Sequence, residues 1–389
     1  MPLISLPILW MLALPAGGWC LYLLSLTILS ARLPAPVSRR ALRFDVIIPA
    51  HNEAAGIAAA VRSILAVDWP RDQFRVVVVA DNCTDATADL AAESGAQVLV
   101  RRDTEQRGKG YALAYAFRDS RQREWAEAVV VVDADSQVST NLLEAIAARI
   151  ERGEQAIQVH YGVSNLHASW RTRLIAIALG AFHGVRSRAR ERLGLSCGIR
   201  GNGWALTHAI LQQVPYASFS LTEDLEYGIE LGIRGVRVAY ADEAWCNGEM
   251  VSAGKDARTQ RQRWEHGRAA MVRHWTLALL KKAIQTRSLV CLDLALDLLV
   301  PPLSWVVLAT TALTAAAWLL TPAGAWHWVG MGCWASLVFY VLRGWQLSGT
   351  GIRGLADLMR APFFLMWKIA VLVGGRRTTD WVRTNREGS

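Results

Sequence analysis

No charged side chain occurs before Arg32. The 31 residues ahead of it are mostly apolar, and about 20 helical residues suffice to cross a bilayer. In hydrocarbon the backbone must satisfy its own hydrogen bonds, which leaves a helix as the one regular option for this stretch. It has neither the positive start nor the short apolar core of a secretory signal, so a retained membrane helix over 1–31 is expected. Arg32, Arg39, Arg40 and Arg43 follow at once and place that side in the cytoplasm. Residues 32–43, with Pro34 and Pro36, read as a linker.

The next hundred residues alternate between two periods. Phe44–Pro49, Phe74–Ala80 and Gln97–Val100 read as strands. One helix is expected to start near Asn52 or Glu53, and another to open at Asp81 or Thr84 and close at Gly95. Arg107–Gly110 is a glycine-punctuated entry into a third helix, and Ala128–Ser136 follows as AVVVVDADS. Four consecutive valines make a strand buried on both faces, as in a parallel sheet covered by helices. The alternation argues an α/β fold with a doubly wound sheet. Asn141–Arg152 reads as a further helix, Ala156–Tyr161 as a strand, 196–251 as mixed strand and helix, and 256–276 as helical.

With 52% hydrophobic and only 19% charged residues, the chain is low in charge for a soluble protein, and more of it is expected in lipid. Leu298–Leu320 and Ala325–Leu342 carry no Lys, Arg, Asp or Glu, and Arg343, Arg353 and Arg360 follow. This reads as a hairpin of two spans, within 289–320 and 325–343, with both ends cytoplasmic. Ala361–Gly375 is short and contains Lys368, so 356–389 reads as an interfacial helix and a basic tail. Ala168–Arg192 flanks an apolar middle with six arginines. It reads as a helix on the membrane surface or as a surface helix with a solvated basic face. Six scattered cysteines without C-x-x-C spacing suggest reduced thiols. The net charge of +9 gathers beside the apolar segments with no nucleic-acid reader motif, so membrane lipids rather than nucleic acid are the expected partner.

The chemistry centres on Asp133 and Asp135. Side chains two apart on a strand point the same way, so both acids can address one hard cation at the carboxyl end of a central strand. A lone D-x-D also ends many strands in a solvated turn. Four features accompany it. Pro49–Glu53 (PAHNE) and Asp81 stand at strand ends, where they could bind a nucleoside, although Asn52 and Thr84 serve equally well as helix caps. Lys109, in R-G-K-G before a helix, favours phosphate. Asp224, in Ser220–Tyr227 (SLTEDLEY), is a helix cap or a general base. Gln260–Trp264 (QRQRW) offers an amide, a bidentate phosphate grip and a flat ring.

In that order, and flanked by membrane helices, D-x-D, T-E-D and Q-x-x-R-W resemble the membrane-bound family 2 glycosyltransferases related to cellulose, hyaluronan and chitin synthases and to bacterial exopolysaccharide enzymes. The resemblance covers about Phe44–Trp275, some 60% of the chain. It implies a GT-A cytoplasmic domain over 44–276, a nucleotide-sugar donor (usually a UDP-sugar) and Mg²⁺ or Mn²⁺. Pro49, His51, Glu53 and Asp81 would hold the nucleoside, Lys109 the diphosphate, and Asp133 and Asp135 the metal–diphosphate, with Asp135 the more direct ligand. Asp224 would deprotonate the acceptor. Gln260, Arg263 and Trp264 would close over the pyrophosphate and acceptor, and Glu223 and Asn202 would line the acceptor side. Gly201–Gly203 also reads as a simple tight turn.

One base without a second nucleophile suits a single inverting displacement. The leading expectation is a multi-pass inner-membrane enzyme that extends a polysaccharide at the cytoplasmic face. Its rivals are single-sugar transfer to a lipid such as a polyprenyl phosphate, and a non-catalytic scaffold or export component. Three spans fall short of the count in cellulose-type synthases, which leaves room for an export partner subunit. Asp293 and Asp297, one turn apart before Pro301-Pro302, line an acceptor path or sit at headgroup depth.

Overall fold

The computed structural model describes residues 2–220, 222–250, 254–363 and 366, and the side chains of 2–5 and 254–266 lie outside that description. An apolar helix α1 (Pro2–Ile28) comes first. Then β1 (Phe44–Ala50), α2 (Ile57–Leu65), β2 (Phe74–Asp81), α3 (Thr87–Glu93), β3 (Gln97–Arg101), α4 (Lys109–Gln122) and β4 (Ala128–Val131) alternate. They are followed by β5 (Ser136–Val138), α5 (Leu142–Ile150), β6 (Ala156–Val163), α6 (Trp170–Leu179) and α7 (Arg186–Arg192). Next come β7 (Trp204–Thr207), α8 (His208–Gln213), α9 (Glu223–Ile233) and β8 (Val238–Gly248). The helices α10 (Gly254–Thr286), α11 (Leu289–Leu299), α12 (Leu303–Leu320), α13 (Ala325–Leu347) and α14 (Gly351–Asp357) end the described fold.

All eight strands form one sheet in the order β3-β2-β1-β4-β7-β6-β8-β5. β4 is buried at every position, with Val130 and Val132 in the layer under α2 and α5 and Val129 and Val131 in the layer under α4 and α9. The doubly wound expectation holds from β3 to β4, where neighbours run parallel. Beyond β4 it needs correction, because β7 is antiparallel to both β4 and β6. The reason is local. Residues 201–203 turn at the carboxyl end of β4, where Gly203 N donates to Val131 O (3.0 Å), and β7 then leaves that end in the opposite direction.

Two helix starts also differ from expectation. α2 begins at Ile57 and α3 at Thr87 because Asn52 (φ 56°) and Asn82 (φ 51°) adopt left-handed turns that a helix cannot contain. Their amides tie loops together instead. Asn52 Oδ1 accepts from Thr84 N (2.7 Å), and Asn82 Oδ1 accepts from Asp103 N (2.8 Å). Gly95 (φ 95°) follows α3 as a left-handed terminator.

Among the described residues, three helices are long and apolar enough to cross a membrane: Leu6–Ile28, Leu303–Leu320 and Ala325–Leu347. The apolar run read over 298–320 is broken at Pro301-Pro302, so α12 alone is the candidate span while α11 packs on α9 and α10. α1, α12 and α13 share a core with the 180–185 turn, which is π-helical. There the backbones of Gly180 and Gly344 cross in contact, and a β-carbon on either would collide with the other helix. The 29–43 segment is tethered along its length. Arg192 and Arg343 hold its start at Ala31 O and Ser30, Arg32 pairs with Asp242, Arg40 with Asp68, and Arg43 with Glu127.

Neither reading of Ala168–Arg192 describes its inner face. Arg186 and Arg190 are buried at 4% and 0% exposure and point away from lipid and water alike. They reach Asp293 and Asp297, which are themselves buried rather than open to a substrate path or to headgroups. Buried acids one turn apart give the arginines their partners. The interfacial helix expected over 361–375 lies largely outside the described residues.

Candidate active site

The site assembles where β4 ends. Asp133 and Asp135 are both partly exposed, and α2 starts directly against them: a β-carbon on Gly56 would lie 3.2 Å from Ala134 O. The Asn202 amide lies between the two acids. Its Oδ1 accepts from Asp133 N (3.0 Å), and its Nδ2 donates to Ser136 Oγ (2.6 Å), which donates to Asp135 Oδ1 (3.1 Å). Asn202 is 1% exposed with both amide atoms engaged, so it braces the acids. Gln158 fixes the same turn by donating to Asn202 O (2.7 Å) and accepting from Arg200 N (2.8 Å). Ser136, Gln158 and Arg200 escaped the sequence reading, and only the G-N-G glycines signalled a constrained turn there.

Lys109 opens α4 and crosses the cleft. Its Nζ donates to Asp133 Oδ1 (2.6 Å) and to Gly201 O (2.7 Å). Gly201 adopts φ 88°, and a β-carbon on it would stand 3.2 Å from Asp224 Oδ2. Lys109, Asp133, the 201–202 turn and Asp224, spread over 115 positions of chain, thus meet in one place. Thr222 precedes Glu223 and Asp224 and packs on Gly267 of α10, where a β-carbon would overlap the threonine methyl.

On the other side, Pro49 is half-buried near the end of β1, and His51 Nδ1 lies 2.7 Å from Asp81 O. Glu53 N donates to Thr87 Oγ1 (2.8 Å). Asp81 is buried and accepts from Arg101 (2.7 Å), its register partner on β3, which also pairs with Asp103. Arg101 was not anticipated. Gln260, Arg263 and Trp264 fall within α10, and their side chains lie outside the described residues.

Charge is concentrated here. Burial would lower Lys109, but Asp133, Glu223 and Asp224 outweigh it and hold the ammonium above its ordinary value. Burial, with Asp224 alongside, pushes Glu223 up to about 7, and burial also raises Asp224 against the pull of Lys109. The folded chain therefore binds more protons at Glu223 than the unfolded chain between pH 4.5 and about 7. Stability falls as pH rises through that window. Glu223→Gln is expected to raise the melting temperature relative to wild type above pH 7, with the gain vanishing below pH 5. A pH-independent difference in thermal scans would contradict this.

Among the described residues, no group of three or more His, Cys, Asp or Glu could hold a metal alone. Two carboxylates supply the hard oxygen donors that Mg²⁺ or Mn²⁺ prefers, with remaining positions suited to a substrate diphosphate and water. The residues fit such an ion.

Paired acids, a lysine and a further carboxylate thus stand at the carboxyl end of the parallel half of a mixed sheet, where open α/β sheets place their ligands. The family profile described as "glycosyltransferase like family 2" matches residues 42–267, more than half of the chain. The chain belongs to that family. It is 24% identical over 239 residues to the probable glycosyltransferase YdaM of Bacillus subtilis, covering 59% of this chain and 56% of that protein. It is 26% identical over 279 residues to the beta-monoglucosyldiacylglycerol synthase of Nostoc sp., covering 69% of this chain and 57% of that one. The chain thus spans little more than half the length of these curated relatives. The mannosyltransferase PcManGT from Pyrobaculum calidifontis, solved in complex with GDP-Man and Mn²⁺, shares its fold with a TM-score of 0.57 at 19% identity. That match covers 90% of this chain and 98% of the other.

Proposed function

We propose that the protein transfers a hexose from a nucleotide-sugar, a UDP-sugar first among candidates, to an acceptor held at the membrane face, with inversion at the anomeric carbon. The observation that carries this reading is the meeting of Lys109 with Asp133 and of Asp224 with the Gly201 turn. Asp133 and Asp135 would hold the divalent ion and, with it, the diphosphate. That ion, when bound, neutralises charge building on the leaving group. Lys109 adds a second positive charge at the same place. Asp224 takes the proton of the acceptor hydroxyl, and burial raises its proton affinity, which strengthens it as a base. Pro49, His51, Glu53 and Asp81 hold the nucleoside, Glu223 stands on the acceptor side, and Gln260, Arg263 and Trp264 close the cleft. The cleft faces the cytoplasm of an inner-membrane protein.

Q-x-x-R-W supports extension of a polysaccharide, with an export partner completing the path. A second reading, one sugar to a lipid, is supported by the three candidate spans and by the likeness to a glucolipid synthase. Purified protein with a panel of nucleotide-sugars and Mn²⁺ or Mg²⁺ is expected to release nucleotide, and EDTA to stop it. Product mass then separates a ladder from a single adduct. Binding of a nucleotide-sugar without turnover across the panel would favour the scaffold instead.

A further inference from the structure

Asp293 and Asp297 share one buried ionic network but reach different places. Asp293 accepts from Tyr22 of α1 (2.8 Å) and pairs with Arg190 (2.7 Å). Neither partner extends to the cleft. Asp297 Oδ1 receives Arg186 (2.9 Å) and Arg190 (2.8 Å), while Oδ2 lies 3.5 Å from Arg200. Arg200 is the residue before Gly201, whose carbonyl holds Lys109 and whose α-carbon faces Asp224.

The backbone of the same helix end reaches the opposite wall. Arg268 donates to Asp297 O (2.5 Å) and Val300 O (2.7 Å), a cation on the exposed carbonyls of a helix carboxyl end. Its neighbour Gly267 is pressed against Thr222, two residues before Asp224. Immediately beyond Val300 come Pro301-Pro302 and the start of α12. Burial would raise the Asp297 carboxyl, but Arg190, Arg200, Arg186 and Arg268 together hold it well below the usual range. It is an ionised hub with an arm on each side of Asp224.

We propose that Asp297 is a positioning residue for Asp224: through Arg200 it sets the Gly201 turn, through the helix end gripped by Arg268 it sets the Thr222 wall, and it references both to the foot of α12. The inference rests on the reading of Asp224 as the base. Small displacements of a reacting group lower turnover more than they weaken ground-state binding. Loss of a purely structural acid would instead lower stability and the amount of active protein, the outcome expected for its neighbour Asp293.

The test uses the full chain in detergent with whichever nucleotide-sugar it turns over. Asp297→Asn is expected to lower kcat, per folded protein, at least about tenfold, with donor KM nearly unchanged. Asp293→Asn is expected to keep kcat even where it lowers the melting temperature. Should Asp297→Asn not fold, Arg268→Leu decides by the same kcat-against-KM split, and Arg268→Lys should recover most of the rate. Equal kcat losses in Asp297→Asn and Asp293→Asn, or an intact kcat in Asp297→Asn or in the deciding Arg268→Leu, overturn the proposal while the transferase reading stands. Absence of turnover in the wild type overturns both.

Discussion

Asp135→Ala is expected to remove sugar transfer almost completely, by about 10³-fold or more, because several kcal/mol of leaving-group stabilisation depend on the cation it would hold. The fold should survive. Asp135 is partly exposed, and it accepts a hydrogen bond from Ser136 Oγ at 3.1 Å. Neighbouring Asp133 keeps its bond to Lys109 in the variant. The loss should therefore appear in kcat and in metal-dependent donor affinity, with the melting temperature little changed. Full turnover in Asp135→Ala, with the metal requirement intact, would remove the paired acids from the mechanism.

The second large effect is expected at Asp224. Asp224→Asn keeps the shape of the side chain and removes its basicity, so kcat should fall by about 10²–10⁴-fold, the typical range for a general base. Donor affinity should stay close to wild type, since the proposed donor ligands lie across the Gly201 turn. The pH profile separates this loss from simple damage. Burial raises Asp224, so the wild-type rate should decline on the acid side at a higher pH than an ordinary aspartate would give, as the base becomes protonated. In Asp224→Asn that acid limb should vanish, leaving a low rate with little slope. A retained limb would assign the base elsewhere.

Much of this molecule is visible in its sequence because the signals are local. The four valines at 129–132, the uncharged opening run and each of the motifs D-x-D, T-E-D and Q-x-x-R-W are continuous stretches of chain. What escaped depends on contacts between distant segments. The antiparallel return of β7 follows from a turn at 201–203 that no periodicity reveals. The delayed starts of α2 and α3 follow from two asparagines in left-handed turns, which on paper resemble caps. Arg186 and Arg190 looked like membrane-surface charges because Asp293 and Asp297, their partners, lie some hundred residues away. The hydrogen bonds that set Asn202 between two acids likewise join residues some seventy positions apart.

The tethered 29–43 segment ties the candidate active site to the end of the first candidate span. Between α1 and β1 the chain is fastened at Ser30, Arg32, Arg40 and Arg43, which shortens the slack by which the cleft could rise or swing. On the reading of a membrane-held acceptor, its hydroxyl must come to the height of the cleft, and a carrier whose head stood too tall or too short above the lipid would be refused by geometry before any chemistry begins.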